Sequence, residues 1–368
     1  QLVLGVVCFA LCPEEFFALT YPTFNLRELV KDVLLRLAGK TDRAIRQLQL
    51  TYGGGKTHTL ITLYHLVNNP ENLPDLPAVD EFIKHSEIKP PKSRIAVLSF
   101  DRLDPVTGMD VRAPDGQVSR FKYPWTVLAF QLAGTEGLKM LGMEGNTERE
   151  EPPFTNVLED ILRFPMQEDL ATLVLMDEVL MWARTKIDGE PVWSHRLQDF
   201  FQCLTQAATK VERCAVVASL LASDISKYDD IGKKIIHDIY AIFRREQEEG
   251  VEPVVKEDVA EVLRRRLFKA ESLKNKESFP SHVVAALKGI TNLDAQSKKA
   301  QKEAESRFLQ SYPFHPDLTD VFYSKWTGLQ GFQRTRGILR TFALALREAA
   351  KWDVSPLIAS NVFLAAEG

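Results

Sequence analysis

The chain has 368 residues, of which 45% are hydrophobic and 26% are charged, a composition typical of a globular protein with two or three domains. Its 46 basic and 50 acidic residues give a net charge of −4, which excludes the strongly basic field of a nucleic-acid-coating protein but leaves room for a local basic face. Only Cys8 and Cys12 have metal-ligand spacing, so the cysteines predict core packing rather than a zinc site or a disulfide framework.

Residues 1–44 are predicted to form a helical and linker segment that precedes the first domain. The apolar stretch 1–12 is too short to span a bilayer and lacks a basic leader, so it indicates a buried strand rather than an anchor or a signal peptide. Helices are predicted at about 13–19 and 25–37, and Asn25 is the predicted N-cap of the second one. We therefore expect a cytoplasmic protein that does not contact the membrane.

A glycine-rich loop follows at residues 52–59 (Tyr-Gly-Gly-Gly-Lys-Thr-His-Thr), between a predicted strand at 44–50 and a predicted helix at 56–67. The backbone N–H groups of such a loop point at an anion, and the helix N-terminus adds a partial positive charge. Lys56 would reach the β- and γ-phosphates of a nucleotide, and the Thr57 hydroxyl would complete a Mg²⁺ shell. The sequence therefore predicts a site for ATP or GTP, with adenine as the default base. Its nucleotide-binding residues are Gly53, Gly54, Gly55, Lys56, Thr57 and His58.

The loop departs from the strict phosphate-loop motif at one position. That motif has a further glycine five residues before its last one, and this chain has Leu50 there. Gly53 and Gly54 still supply the conformational freedom that the turn requires. The alternative is a glycine-rich turn between a strand and a helix, with a lysine that is simply solvated.

Residues 70–123 are predicted to be an insertion in the first domain, which continues with further helices. The elements are a proline-rich stretch at 70–92, a buried strand at 94–100, a hairpin within 101–123, and helices at about 124–137 and 155–164. The hairpin is indicated by the turn sequences Asp-Pro, Thr-Gly and Pro-Asp-Gly.

Four apolar residues at 173–176 end in Asp177 and Glu178, which predicts a buried parallel strand with two acids at its C-terminal edge. In nucleoside-triphosphate hydrolases of this design, the first acid holds the Mg²⁺ shell and the second orients and deprotonates the attacking water. Asp177 is therefore the predicted metal residue, and Glu178 is the predicted catalytic base. The alternative is a solvated acidic turn, and the Lys-Thr loop upstream argues against it. Glu178 also favours hydrolysis over phosphotransfer to a small acceptor.

A helix at 193–211 and a strand at 214–219 complete an alternation of strands and helices. This alternation predicts a parallel α/β sheet over 45–232, with helices on both faces and the ligand at the C-terminal edge of the strands. The pattern at 233–368 is purely helical and predicts a separate all-α domain. Its predicted helices are 233–248, 256–270, 281–289, 297–312, 316–324 and 335–351.

A strand–helix core followed by a helical domain resembles AAA+ P-loop ATPases, in which the helical part forms a lid over the nucleotide. A polar side chain after the next strand would then touch the γ-phosphate or the attacking water. Ser219 is the predicted residue, with Ser223 and Asp224 as alternatives. An arginine of the lid would sense the γ-phosphate, and Arg334 and Arg336 are the predicted catalytic arginines. For all of these residues, the alternative is a local structural bond or a solvated face.

Other basic residues suggest further hypotheses. Arg244 and Arg245 are candidates for an arginine finger that acts on a neighbouring subunit, which would require oligomerisation. The basic clusters at 264–266 and 334–340 are candidate DNA contacts. Their alternative is an amphipathic lid helix with a solvated basic face.

Residues 52–66 resemble a bacterial and archaeal family of predicted AAA+ ATPases, catalogued as domain of unknown function 499. Similar stretches occur at 15–23, 265–268, 312–316 and 331–340, so the resemblance extends over nearly the whole chain. The compact Gly-Gly-Gly-Lys-Thr-His loop of that family would account for the missing upstream glycine.

The resemblance implies an ATPase that uses ATP and Mg²⁺ and is encoded beside methyltransferase-like and helicase-like proteins in antiviral defence clusters. DNA and those proteins are its implied partners. We therefore expect an ATP hydrolase that couples its nucleotide state to lid movement within a DNA-directed complex. The first alternative is a nucleotide-dependent switch or scaffold that recruits partners with little turnover. The second alternative is a phosphotransferase with a small acceptor.

Overall fold

The computed structural model describes residues 12–48, 55–143, 147–179, 182–183, 186–187, 190, 192–220, 237–243, 251–255, 258–268, 306–318, 321, 334–352 and 357–363. The chain forms two compact units. The first unit comprises Gln1–Ala18 and Pro22–Pro253, and the second comprises Leu19–Tyr21 and Val254–Gly368.

A four-stranded parallel sheet forms the centre of the first unit. The strands of this unit are β1 (Ile45–Leu48), β2 (Ser93–Ser99), β3 (Met109–Arg112), β4 (Val118–Phe121), β5 (Ala171–Asp177) and β6 (Cys214–Ser219). The order across the sheet is β1-β6-β5-β2, and each neighbouring pair is parallel. Strands β3 and β4 form a separate antiparallel hairpin. The predicted parallel α/β sheet is thus confirmed, and the hairpin lies where its turn residues indicate.

Helices pack on both faces of this sheet. They are α1 (Pro13–Ala18), α2 (Phe24–Leu37), α3 (Lys56–Asn68), α4 (Pro77–Ser86), α5 (Pro124–Met140), α6 (Thr155–Arg163) and α7 (Trp193–Lys210). One face packs against α1 to α4, and the opposite face packs against α5 to α7. Strand β5 shows why its sequence is continuously apolar. Leu173 and Leu175 lie in one core, whereas Val174 and Met176 lie in the other, and all four are fully buried.

The N-cap of α2 is Thr23, so the prediction of Asn25 is wrong. Thr23 Oγ1 accepts a hydrogen bond from the backbone N–H of Leu26 at 3.1 Å, and the helix begins at Phe24. Asn25 instead uses its side-chain amide to donate to the carbonyl of Glu252 at 2.7 Å. Thr23 Oγ1 also donates to the Pro253 carbonyl, so the start of α2 fixes the end of the first unit.

The proline-rich stretch 70–92 is more regular than its composition indicates. It contains a short 3-10 helix at Pro70–Asn72 and the ten-residue helix α4. Pro77 occupies the first turn of α4. A proline is tolerated there because the backbone N–H groups of the first turn have no partner within the helix. Val79 and Phe82 are buried on one face of α4, so this helix contributes to the core beside α2.

The second unit contains helices α8 (Val259–Leu267) and α9 (Arg334–Ala349) and a 3-10 helix at Ser360–Phe363. Its described core consists of Val259, Leu263, Phe314, Leu318, Ile338 and Phe342. Phe314 and Ile358 also form an isolated parallel bridge. The predicted helix at 281–289 lies outside the described residues, as do parts of the other predicted helices of this unit. Within the described part of the chain, no helix has the length and apolar character needed to cross a membrane.

Candidate functional site

Lys56 and Thr57, which follow the glycine-rich loop, and the acidic motif meet at one edge of the sheet. Parallel strands bring their carboxyl ends to the same edge, and β5 ends there with Asp177. Helix α3 begins at that edge with Lys56 and Thr57. The Thr57 hydroxyl donates a hydrogen bond to Asp177 Oδ2 at 3.0 Å. Two motifs that are far apart in the sequence therefore form a single site.

The N-cap residue of α3 is a glycine, which has no side chain with which to cap the helix. Gly55 is the N-cap and has a φ of +87°, a left-handed conformation that glycine adopts without the steric cost of a Cβ atom. Its carbonyl accepts from the backbone N–H of Thr59 at 2.8 Å and from the Thr59 hydroxyl at 2.9 Å. Gly55 therefore leaves the first N–H groups of α3 without a cap from the N-cap side chain. The first N–H groups of α3 are thus suited to an anionic ligand.

Lys56 is a buried cation. The residue is 7% exposed, and its Nζ makes no hydrogen bond within the described part of the chain. Burial lowers the pKa of Lys56, whereas the negative charges of Glu178 and then Asp177 act to raise it. A buried ammonium group without hydrogen-bond acceptors is energetically costly, and a bound anion would remove that cost.

Asp177 is a carboxylate whose charge interacts with that of Lys56. Burial raises its pKa, and the Thr57 hydrogen bond and the Lys56 charge oppose this rise. The Ser219 hydroxyl, at the end of β6, is fully buried and also lowers the pKa of Asp177, although its position is outside the geometry of a regular hydrogen bond. Asp177 Oδ1 is buried and makes no hydrogen bond within the described residues. One oxygen of this carboxylate is therefore still able to bind a ligand.

Glu178 adopts a strained backbone conformation directly after β5. Its φ is +56°, in the left-handed region that residues with a side chain rarely occupy. Such conformations cost on the order of 1–3 kcal/mol and concentrate at functional sites. The charge of Glu178 also acts on the ammonium group of Lys56, more strongly than that of Asp177 does. The turn thus directs a second carboxylate to the same edge of the sheet.

His58, the next residue of the predicted loop motif, faces an aromatic cluster. Its ring centroid lies 4.5 Å from that of Phe16 on α1, and Phe16 in turn lies 5.2 Å from the ring of His65. This contact joins α1 to the first turns of α3. Packing against α1 is therefore a structural role of His58 beside the predicted one in nucleotide binding.

Other predicted site residues cannot be placed in this way. Gly53 and Gly54 lie outside the described residues, as do Ser223, Asp224, Arg244 and Arg245. Arg334 and Arg336 lie in the first turn of α9 in the second unit, where the structure describes the backbone but not these side chains. Their predicted roles remain predictions.

Two residues at the same edge were missed by the sequence analysis. Ser99, the last residue of β2, is the register partner of Asp177, and the next backbone N–H, that of Phe100, donates to the Asp177 carbonyl at 3.0 Å. The Ser99 hydroxyl donates to Asp101 Oδ1 at 3.0 Å, and the charge of Asp101 raises the pKa of Asp177. Asp101 follows its strand in a turn-like sequence that carries no motif. Only the strand order, with β2 beside β5, could have indicated it.

The donor atoms at this edge fit a hard cation together with a polyphosphate. Mg²⁺ prefers oxygen ligands, is commonly bound by one or two carboxylates, and takes further oxygens from phosphates. Thr57 and Asp177 offer such oxygens, and Lys56 offers a buried positive charge. Among the described residues, no group of three or more His, Cys, Asp or Glu side chains could hold a metal ion. A cation at this site would therefore need additional oxygens from a ligand or from water.

Two family models match the chain. The model described as the DUF499 N-terminal domain matches residues 6–250, and the model described as the DUF499 second domain matches residues 254–360. No curated protein matches the chain, and no solved structure does. The two family matches together extend over most of the sequence and divide it close to Pro253, where the first compact unit ends. The chain therefore belongs to the DUF499 family.

Proposed function

We propose that the chain binds ATP with Mg²⁺ at this edge of the sheet and hydrolyses it as an AAA+-like phosphate-loop ATPase. The main support for the proposal is the environment of Lys56. Its ammonium group is buried, follows a glycine-rich loop and has no hydrogen-bond partner among the described residues. Its charge interacts with those of Asp177, which ends a buried strand, and of Glu178, which follows it. A buried ammonium group and a buried carboxylate oxygen that lack hydrogen bonds within the described residues, Lys56 Nζ and Asp177 Oδ1, are expected where a charged ligand completes the site.

The chain's own groups would divide the binding of the triphosphate between them. The N–H groups at the start of α3 would donate to the β-phosphate, and Lys56 would bridge the β- and γ-phosphates. Thr57 and Asp177 would hold Mg²⁺, which when bound would neutralise charge on the phosphates. The hydrogen bond between Thr57 and Asp177 already holds these two residues side by side.

Glu178 is the proposed general base. Its position after the strand would let its carboxylate accept the proton of the water that attacks the γ-phosphate, while Ser219 would help to orient that water or the phosphate. The strained backbone at Glu178 supports a role that depends on where the carboxylate points. General-base catalysis of this kind contributes about 10²–10⁴-fold to a rate.

A Glu178→Gln variant tests the hydrolytic step. We expect it to bind ATP as tightly as the wild-type chain and to lose turnover by about 10²–10⁴-fold. Glu87→Gln is the matched control, because Glu87 is also a glutamate with a left-handed backbone, with a φ of +60°, but it is exposed and ends α4. Turnover that is unchanged in Glu178→Gln would contradict the assignment of the base.

The same site also supports a nucleotide-dependent switch that binds ATP and recruits partners with little turnover. The two functions differ in the rate of hydrolysis. If the wild-type chain binds ATP but hydrolyses it no faster than the background rate, with or without DNA, the switch is the better description. Competition between ATP and GTP in the same binding assay would establish which base is preferred.

Coupling of the nucleotide state to movement of the second unit, in a DNA-directed defence complex, is the wider part of the proposal. It follows from the resemblance to AAA+ ATPases and from the genes that accompany the family. Binding to duplex DNA that weakens steeply with salt would support it. Arg264→Ala is a poor test, because Arg264 is 7% exposed and donates to the Gln310 carbonyl at 2.8 Å. Arg340, which is exposed on α9, is a better position for a charge-removing variant.

A further inference from the structure

Asp101 is held in place at the edge of the sheet that carries Asp177. The register of β2 and β5 pairs Ser99 with Asp177, and the Phe100 N–H continues this pairing by donating to the Asp177 carbonyl at 3.0 Å. The buried Ser99 hydroxyl then donates to Asp101 Oδ1 at 3.0 Å. Asp101 is therefore not a freely rotating surface carboxylate, because a buried donor at the end of β2, the strand that it follows, fixes one of its oxygens.

The other oxygen of Asp101 is incompletely satisfied. Arg102 Nε lies 3.9 Å from Asp101 Oδ2, which is beyond hydrogen-bond distance. The same Arg102 Nε is buried without a hydrogen-bond partner among the described residues, so this contact is electrostatic only. Oδ2 thus keeps its capacity to accept a hydrogen bond from water.

Among the described residues at this edge, the carboxylates outnumber the cationic groups that interact with them. The carboxylates of Asp101, Asp177 and Glu178 face the positive charges of Lys56 and Arg102. A triphosphate would add further negative charge, so three carboxylates beside it would repel it unless a cation lay between them. Two buried atoms, Lys56 Nζ and Asp177 Oδ1, make no hydrogen bond with any residue that the structure describes, as expected where a ligand belongs.

We propose that Asp101 accepts a hydrogen bond from a water molecule of the Mg²⁺ shell and thereby sets the affinity of the site for the metal ion. The inference rests on the proposed nucleotide site and extends it by one residue that carries no sequence motif. We assign Asp101 a role through water, since among the described residues it forms no group of three or more possible metal ligands with Asp177 and Glu178. Ser99 is the positioning residue, since its hydroxyl fixes the Asp101 carboxylate. Residues in this outer position commonly change metal affinity by about 10–100-fold.

Binding of a fluorescent, non-hydrolysable ATP analogue tests this role in the full chain, first with increasing MnCl₂ or MgCl₂ and then with EDTA. We expect Asp101→Asn to raise the metal concentration for half-maximal binding about tenfold. In EDTA the same variant should bind the analogue at least as tightly as the wild-type chain, because one repelling charge has been removed. Ser99→Ala, which leaves the charge in place but frees the carboxylate, should raise the metal requirement by a smaller factor and leave binding in EDTA unchanged.

Asp115→Asn is the matched control. Asp115 is exposed in the turn of the β3–β4 hairpin, where its carboxylate accepts from the Gln117 N–H at 2.9 Å, and asparagine can accept the same bond. It should behave as the wild-type chain does. Asp101→Asn is expected to raise the metal requirement but not to weaken binding in EDTA. This combination separates an effect on the metal from a folding defect, which would weaken binding under both conditions.

Three results would overturn the inference in distinguishable ways. If the wild-type chain binds the analogue and Asp101→Asn has the same metal requirement, Asp101 has no part in the metal shell while the nucleotide site stands. Weakening of Asp101→Asn by an equal factor with metal and with EDTA would show a structural role instead. If the wild-type chain does not bind the analogue under either condition, the proposed function fails and the role of Asp101 fails with it.

Discussion

Arg36 and Lys56 are buried cations at opposite ends of the strands of the same sheet, and they differ in their hydrogen bonds. Arg36 is 2% exposed and donates to the Cys214 carbonyl at 2.9 Å, at the amino end of β6. It also donates to the carbonyls of Thr41, Ala208, Thr209 and Val211. Lys56 is 7% exposed, lies at the edge where β6 ends, and makes no hydrogen bond within the described residues.

Under the proposed function, this contrast is one between a structural charge and a ligand-binding one. Burial lowers the pKa of both groups, so desolvation alone does not separate them. The two groups differ in the hydrogen-bond acceptors that surround them. The guanidinium of Arg36 binds carbonyls at the end of α7 and the start of β6, and so it contributes to the packing of these elements. Lys56 has two carboxylates within electrostatic range, and its Nζ makes no hydrogen bond with the described residues, so we propose that its donors serve a ligand.

The largest effect that would test the contrast is the loss of ligand binding in Lys56→Ala. We expect the affinity for ATP with Mg²⁺ to fall more than about a hundredfold, because the variant removes the only buried donor that we assign to the γ-phosphate. The free energy of unfolding should change by less than about 1 kcal/mol, since no protein hydrogen bond is lost. Lys139→Ala is the control, because Lys139 is 70% exposed and pairs with Glu136 on α5. Affinity close to that of the wild-type chain would contradict the role of Lys56.

Arg36→Met should have the converse effect. It leaves several buried carbonyls without a donor, so we expect the free energy of unfolding to fall by about 3 kcal/mol or more. Nucleotide affinity of the folded fraction should be unchanged. Denaturant unfolding measures the first quantity, and a titration at low temperature measures the second. Arg43→Met, at an exposed position ahead of β1, should alter stability by less than about 1 kcal/mol. A stable Arg36→Met variant would break the comparison.

The stability of an Asp177→Asn variant, measured as a function of pH, tests the same comparison. A raised pKa means that ionisation of Asp177 costs stability once the pH exceeds the unfolded-state value of about 4. The neutral variant can still accept the Thr57 hydrogen bond. Without nucleotide at pH 7, we expect it to be more stable than the wild-type chain by about 1 kcal/mol, or roughly 2–4 °C in Tm.

The stability gain of Asp177→Asn should shrink as the pH falls towards 4, because the wild-type carboxylate then becomes protonated as well. Thermal unfolding of both proteins between pH 4 and pH 7 measures this difference. A variant that is less stable than the wild-type chain at pH 7 would mean that the protein itself pairs Asp177 well, contrary to the account given for this edge.

The smallest expected changes in stability concern two buried hydroxyl groups on neighbouring strands. Thr172 Oγ1, near the start of β5, donates to the Leu162 carbonyl at 2.7 Å. Ser219 Oγ, at the end of β6, makes no regular hydrogen bond with the described residues. Thr172→Val should cost about 1 kcal/mol of stability. Ser219→Ala should cost less than about 0.5 kcal/mol and reduce ATP turnover instead. Equal losses of stability in the two variants would argue that Ser219 is structural.

Much of the first unit could be predicted because its strands are buried on both faces. The apolar runs at β5 and β6 follow directly from that burial, and the turn residues of the β3–β4 hairpin require particular backbone conformations. Helix α4 was missed since its proline-rich surroundings conceal a single apolar stripe with Pro77 at its start. The N-cap of α2 was misplaced because Thr23 and Asn25 are both good capping residues, and only the hydrogen bond to Leu26 decides between them.

The site was predictable to the extent that its residues lie in contiguous motifs. Lys56, Thr57, Asp177 and Glu178 could be proposed as site residues because a loop or a strand end marks each of them, and the structure brings Thr57 and Asp177 into direct contact. Asp101 belongs to no motif, and its position beside Asp177 depends on the order of β2 and β5 in the sheet. The order of strands in a sheet is set by packing between distant segments, which a single sequence does not reveal.

The most direct test of the central claim is a crystal structure of the chain with Mg²⁺ and a non-hydrolysable ATP analogue. The account predicts phosphate oxygens about 3 Å from Lys56 Nζ, and a metal ion held by Thr57 and the Asp177 side of the sheet edge. A nucleotide bound elsewhere, with Lys56 still buried and without a ligand, would contradict it.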